Sequence, residues 1–230
     1  GKHPGRFIIT PRHIGGMQLL ESRDVLDEER TPERELVLHR QQEFERLLRW
    51  AEGSLTGRTA YLLGLPGTGK TMLAKLVLRR LDGVRACYVN CWEHYERYDV
   101  LHDVANKLLD RPYHRSTAES DLRRALREEP DHHRHVILDE ADQLLDGKVL
   151  YELHRAPKLD MTLIANDESD LFANVADRLR SRIEIGPRVE CEQYPVTELT
   201  EILEARADAA LRPGSVSRRQ LEWMAGQADG

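Results

Sequence analysis

Gly64-Leu65-Pro66-Gly67-Thr68-Gly69-Lys70-Thr71 satisfies the pattern G-x-x-x-x-G-K-[ST] at every fixed position. The apolar run Ala60-Tyr61-Leu62-Leu63 leads into it. A helical stripe through Leu73, Leu76 and Val77 leads out of it, over 71–81. A strand that turns through glycines into a helix is the context in which this pattern means phosphate binding. The glycines let the backbone curl so that its N–H groups converge on phosphate oxygens. The helix N-terminus adds a partial positive charge. The pattern therefore implies that Leu65, Pro66, Gly67, Thr68, Gly69, Lys70 and Thr71 hold ATP or ADP, with Lys70 on the β- and γ-phosphates and the Thr71 hydroxyl on magnesium.

Val136-Ile137-Leu138-Asp139-Glu140 supplies the complement, an apolar strand that ends in two acids. Its carboxylates should sit at the carboxyl edge of a sheet, where ligands bind in such folds. Asp139 is expected to hold magnesium through water, and Glu140 to orient and deprotonate an attacking water. Ile164-Ala165-Asn166-Asp167 ends the next strand. Asn166 is expected to lie between the two strand ends already named, where it can hold that water or sense the γ-phosphate.

Working outward, five apolar runs read as strands: 60–63, 84–89, 135–138, 161–165 and 189–191. Helical stretches alternate with them, at 35–52, 71–81, 95–109, 116–129, 149–154 and 175–182. The fourth of these opens with Ser116-Thr117-Ala118-Glu119, a capping-box pattern. The alternation predicts an α/β fold with a parallel sheet covered by helices on both faces. Residues 1–34, rich in Gly, Pro and charge, read as an N-terminal arm, and 35–194 as the nucleotide-binding core. After Pro195 the pattern turns purely helical, over 196–211 and 217–228, so 195–230 is expected to form a small helical lid.

The chain has 230 residues and a net charge of −6, which gives no global pull towards nucleic acid. Of its 34 basic residues, 28 are Arg and 6 are Lys. No apolar run approaches the roughly 20 residues of a membrane span, and no signal-peptide pattern opens the sequence. A cytoplasmic protein with no membrane partner is the expectation. Cys87, Cys91 and Cys191 are too few for a disulfide framework; Cys87, Cys91 and His94 lie close in sequence but lack a fourth ligand at zinc-type spacing, so the cysteines read as buried thiols. His132, His133 and His135 read as solvated loop residues.

The order of segments carries a resemblance. The phosphate loop is followed by Asp139-Glu140-Ala141-Asp142, Asn166-Asp167, the Arg-rich Asp177-Arg178-Leu179-Arg180-Ser181-Arg182 and a small helical tail. This is similar to the AAA+ ATPases. More closely, it resembles the archaeal replication initiators related to the origin recognition complex and the cell-division-control loader. Leu38 to Glu43, Tyr88-Val89-Asn90-Cys91 and the tail segment from Tyr194 to Arg206 add to the likeness. The resemblance implies an ATP/ADP switch for origin recognition and helicase loading, with ATP hydrolysis that is weak in isolation. It casts Asn166 as the first sensor, Arg178 as an arginine finger acting in trans, and Tyr194 and Arg206 as nucleotide contacts at the lid boundary. It implies duplex origin DNA as a partner, held mainly through a winged-helix domain that lies beyond these residues, along with other initiator subunits or the replicative helicase. Two other classes share the same core: a regulatory signalling ATPase that binds protein partners, and a transposition helper ATPase.

Overall fold

A computed structural model describes residues 38–53, 58–183 and 186–228. The expected arm over 1–34 and the start of the first expected helix at Glu35 lie outside the described residues. The chain forms two compact units. One runs from Arg40 to Gln193; among the described residues, the other takes Leu38, His39 and those from Tyr194 onward.

The first unit is built on five strands: β1 (Thr59–Leu63), β2 (Val84–Asn90), β3 (His133–Asp139), β4 (Leu159–Ala165) and β5 (Arg188–Glu190). They lie in the order β2-β3-β4-β1-β5, and every pairing is parallel. Parallel strands need crossovers, and the helices supply them. α1 (Gln41–Ala51) precedes β1 and α2 (Lys70–Leu78) follows it. α3 (Arg97–Leu108) and α4 (Glu119–Leu126) join β2 to β3, and α5 (Lys148–His154) joins β3 to β4. α6 (Glu168–Phe172) and α7 (Asp177–Ile183) lead from β4 to β5. In the second unit, α8 (Val196–Ala210) and α9 (Arg218–Ala228) pack on one another.

Side chains alternate across a strand, and the alternation divides this sheet into two buried faces. Tyr61, Val89, Val136 and Leu163 point into one apolar cluster with Leu101 of α3, Leu122 of α4 and Leu153 of α5. The residues between them point the other way. Leu62, Ile137 and Ile164 are at most 1% exposed there. On this face Trp50 of α1 meets His135 edge-on, with ring centroids 5.5 Å apart, and the Lys75 ammonium of α2 lies 4.2 Å from the centre of the Tyr88 ring. Two covered faces explain why the strands read as continuous apolar runs. Among the described residues, no helix is long and apolar enough to cross a membrane.

Three local expectations need correction or addition. The capping box at Ser116 does not form: α4 starts three residues later, with Ala118 at the N-cap. Glu119 does not turn back to Ser116, because Arg97 holds its carboxylate at 3.0 Å. His135 is not a solvated loop residue but lies 2% exposed inside β3, its Nε2 2.9 Å from Thr162 Oγ1. α6 was not expected at all. Asp167 caps it, accepting the Asp170 N–H at 2.9 Å and the Ser169 hydroxyl at 2.6 Å.

Burial pulls the pKa of His135 down from 6.5 to about 4. Its stability contribution is present above the unfolded value and is lost as pH falls through this window, because the unfolded chain takes up a proton that the folded one refuses. The full window is worth about 3 kcal/mol. His135→Gln, which keeps a polar partner for Thr162, should lose that part of the slope. Urea unfolding of both chains from pH 7 to pH 4 should show the parent losing stability more steeply.

Candidate functional site

Because β4 lies between β1 and β3, the carboxyl ends of all three open at one edge of the sheet. Leu63 stands beside Ala165, and Leu138 beside Leu163. One residue further on, Gly64 donates its N–H to Asn166 O at 3.1 Å. The phosphate loop, Asn166 and the pair Asp139-Glu140 therefore share one edge by register alone.

The loop itself depends on its glycines. Gly64, Gly67 and Gly69 have φ of 146°, 81° and 87°. A Cβ on Gly64 would lie 2.2 Å from the Cys191 carbonyl oxygen. Leu65, Pro66 and Gly67 are exposed, whereas Thr68 and Lys70 turn inward and are buried. The Thr68 hydroxyl donates to Leu65 O at 2.8 Å and closes the turn. The backbone N–H groups of Gly67, Thr68, Gly69, Lys70 and Thr71 donate to no other described residue. Five neighbouring donors at a helix N-terminus form a cradle for an anion. Lys70 Nζ donates to the carbonyls of Gly64 and Leu65, the latter at 2.8 Å. Burial draws the pKa of this ammonium below its ordinary value, and Cys191, Asp139, Asp142 and Glu140 pull it back up.

Asp139 is only 5% exposed. Its Oδ2 accepts from the Thr71 hydroxyl at 2.6 Å and from the Tyr88 hydroxyl at 2.8 Å, and its Oδ1 accepts the Glu140 N–H at 3.0 Å. Hard oxygen donors from Thr71 and Asp139 suit magnesium, so the residues present fit that ion. Glu140 has φ 53°, a left-handed conformation that is uncommon for a residue with a side chain and is found at functional turns. Its side chain faces solvent. The surrounding protein first, then the charges of Asp139 and Asp142, hold its carboxyl above the usual glutamate range, with Lys70 pulling the other way.

The remaining expected residues lie on α7 and in the second unit. Arg178 is exposed on α7 and makes no ion pair with another described residue. Its neighbours are engaged: Arg180 pairs with Glu168 at 3.4 Å, and Arg182 donates to the Tyr151 hydroxyl at 2.7 Å. Tyr194 and Arg206 belong to the second unit. Tyr194 is buried just before α8, and Arg206 lies on α8 with its Nε buried and without a hydrogen-bond partner among the described residues.

Two residues of the site were not assigned from sequence. Tyr88 reaches Asp139 from β2. Arg40, 5% exposed, donates to Thr68 O at 3.3 Å and to Glu192 O, and pairs with Glu43 at 3.1 Å. It ties the phosphate loop to the segment after β5. Both lie in the stretches 38–43 and 88–91 that carry the family resemblance, and that was the available signal.

Comparison with known proteins agrees with this geometry. Residues 55–182 match the AAA domain family. ORC1-type DNA replication protein 1 of Halobacterium salinarum is 38% identical over 180 residues, which cover 75% of this chain and 58% of that protein. The chain thus spans less than two thirds of this curated relative. Among solved structures, the Aeropyrum pernix ORC1 protein in complex with DNA superposes with a TM-score of 0.78 at 27% identity, covering 92% of this chain and 59% of that one. The Aeropyrum pernix ORC2 protein, solved as ADPNP-ADP complexes, gives 0.74 at 26% identity, with 90% and 61% covered. The chain belongs to the AAA domain family, within which it is similar to the ORC1-type replication proteins.

Proposed function

We propose that this chain is the nucleotide-dependent switch of a DNA replication initiator, which binds ATP with magnesium and hydrolyses it slowly. The observation that carries the nucleotide reading is the 2.6 Å hydrogen bond from Thr71 to Asp139, which joins the two halves of the motif beside five unspent backbone donors. The likeness to ORC1-type proteins supports the replication reading.

In this reading the loop N–H groups of Gly67 to Thr71 take the phosphate oxygens, and Lys70 exchanges its bonds to Gly64 O and Leu65 O for the β- and γ-phosphates. Thr71 and Asp139 would hold magnesium, which would supply positive charge against the phosphate oxygens. Glu140 takes a proton from a water whose oxygen attacks the γ-phosphorus. The bond from that phosphorus to the bridging oxygen breaks, and ADP leaves with the electron pair. Asn166 holds the water from the end of β4. Tyr194 and Arg206 are further nucleotide contacts in this reading. Arg178, which makes no ion pair with another described residue, serves a neighbour's nucleotide. Duplex origin DNA is held mainly by sequence outside these residues, and initiator subunits or the replicative helicase are the protein partners.

Calorimetry should show magnesium-dependent ATP and ADP binding that Lys70→Ala weakens at least about tenfold, since a buried charged donor to phosphate is lost. Equal affinity in that variant would remove the assignment. Glu140→Gln should bind ATP like the parent while its turnover falls about 100-fold or more, because an amide accepts no proton.

The raised Glu140 pKa sets a direction for the pH profile. The base works only when ionised, so turnover should fall as pH drops through a value above the ordinary glutamate range. An acid limb at or below that range would place the base elsewhere.

An isolated chain should turn over slowly and speed up with protein concentration or on assembly. A trans arginine is typically worth about 10³–10⁵ in rate in such enzymes. Arg178→Ala should abolish that rise and leave nucleotide affinity of the isolated chain unchanged. A fast parent rate, independent of concentration and of this substitution, would show Arg178 to be structural.

A further inference from the structure

We infer that Tyr88 is a positioning residue for the magnesium site, fixing the orientation of the Asp139 carboxylate from the neighbouring strand. The inference rests on the nucleotide-binding reading above and extends it to a residue outside the phosphate loop and the Asp139-Glu140 strand end.

The geometry begins with register. β2 and β3 run parallel with Asn90 beside Asp139 and Tyr88 beside Ile137. Tyr88 therefore sits two residues short of the edge, on the face that carries α2. From there its hydroxyl reaches Asp139 Oδ2 at 2.8 Å. Tyr88 is held at three points, two on its phenol and one on its backbone carbonyl. Its ring lies under the Lys75 ammonium, 4.2 Å from the centroid, and Lys75 belongs to the helix that the phosphate loop opens. Its carbonyl accepts from Lys107 Nζ of α3 at 2.7 Å. Its hydroxyl is spent on the carboxylate.

The carboxylate gains a defined orientation from these contacts. An ionised carboxylate has about four acceptor positions. In Asp139, Thr71 and Tyr88 take two on Oδ2, and the Glu140 N–H takes one on Oδ1. One position remains, on Oδ1. Without the Tyr88 hydroxyl, Thr71 alone would engage Oδ2, and rotation about χ2 would present either oxygen. Thr71 is itself a candidate ligand, so it is a poor sole anchor. A half-buried tyrosine fixed in the sheet holds the carboxylate by a group that need not move when the ion arrives.

The test is Tyr88→Phe, which keeps the ring beneath Lys75 and removes only the hydroxyl. Nucleotide binding is measured by calorimetry with magnesium and with a chelator, alongside thermal unfolding of the nucleotide-free chain. Loss of one hydrogen bond to a buried charge should weaken the magnesium-dependent part of ADP affinity about tenfold. It should leave chelator-condition affinity unchanged, and saturating magnesium should restore binding. A purely packing role would lower the unfolding temperature and reduce both affinities together, and that outcome overturns the inference. So does a Tyr88→Phe chain that matches the parent with magnesium present. In that case the parent's own magnesium dependence stands, and only the role of Tyr88 falls. A parent whose nucleotide binding ignores magnesium would remove the role of Asp139 and the inference with it.

Discussion

The insertion of β4 between β1 and β3 is the constraint on which the site depends. Parallel pairing fixes which residues stand side by side, and a slip of one residue would turn every side chain to the opposite face. With Leu63 beside Ala165 and Leu138 beside Leu163, three separate stretches of chain deliver their polar ends to one edge. The phosphate loop arrives on β1, Asn166 on β4 and Asp139 on β3. The apolar strand residues that hold this register are buried on both faces. Packing of the core and placement of the carboxylates are thus one problem with one solution.

Around that edge the chain spends its polar groups unevenly. Asp139 has three donors and Arg40 is anchored to the loop, to Glu43 and to the segment after β5. The loop N–H groups, by contrast, donate to no described residue. Rigid acids next to unspent donors are what an anion and a cation together would require. Neither alone would balance the site: phosphate would face Asp139 unscreened, and a cation would face Lys70. A ligand that carries both charges at fixed separation, such as the magnesium nucleotide proposed above, would resolve the conflict.

The strands and the loop were legible in the sequence because their signals are local. Apolar runs mark the five strands, and glycine spacing marks the turn. What could not be read was set by partners distant in sequence. Nothing near His135 tells that Trp50, 85 residues away in the chain, will cover it. The Ser116 box failed because Arg97, on another helix, claims Glu119. Tyr88 looks like any strand aromatic until β3 places Asp139 beside its hydroxyl. The Asp167 cap followed by Asp170 was a local signal for α6, overlooked because the segment read as a strand end.

The arginines of 178–188 show how fold and mechanism divide one residue type. Arg180 and Arg188 converge on Glu168, and each also lies over an aromatic ring, Phe172 or Tyr61. Arg182 turns to Tyr151. These planar, permanently charged groups are committed to fastening α6, α7 and β5 onto the sheet. Committed in this way, they could reach a phosphate elsewhere only by breaking contacts the fold uses. Arg178 carries no such commitment to another described residue, and it stands exposed at the start of the same helix that Arg180 and Arg182 anchor. A group that stabilises charge on another molecule must be held at its base and free at its tip. On the reading proposed above, the anchored residues of this segment supply that base and Arg178 the tip.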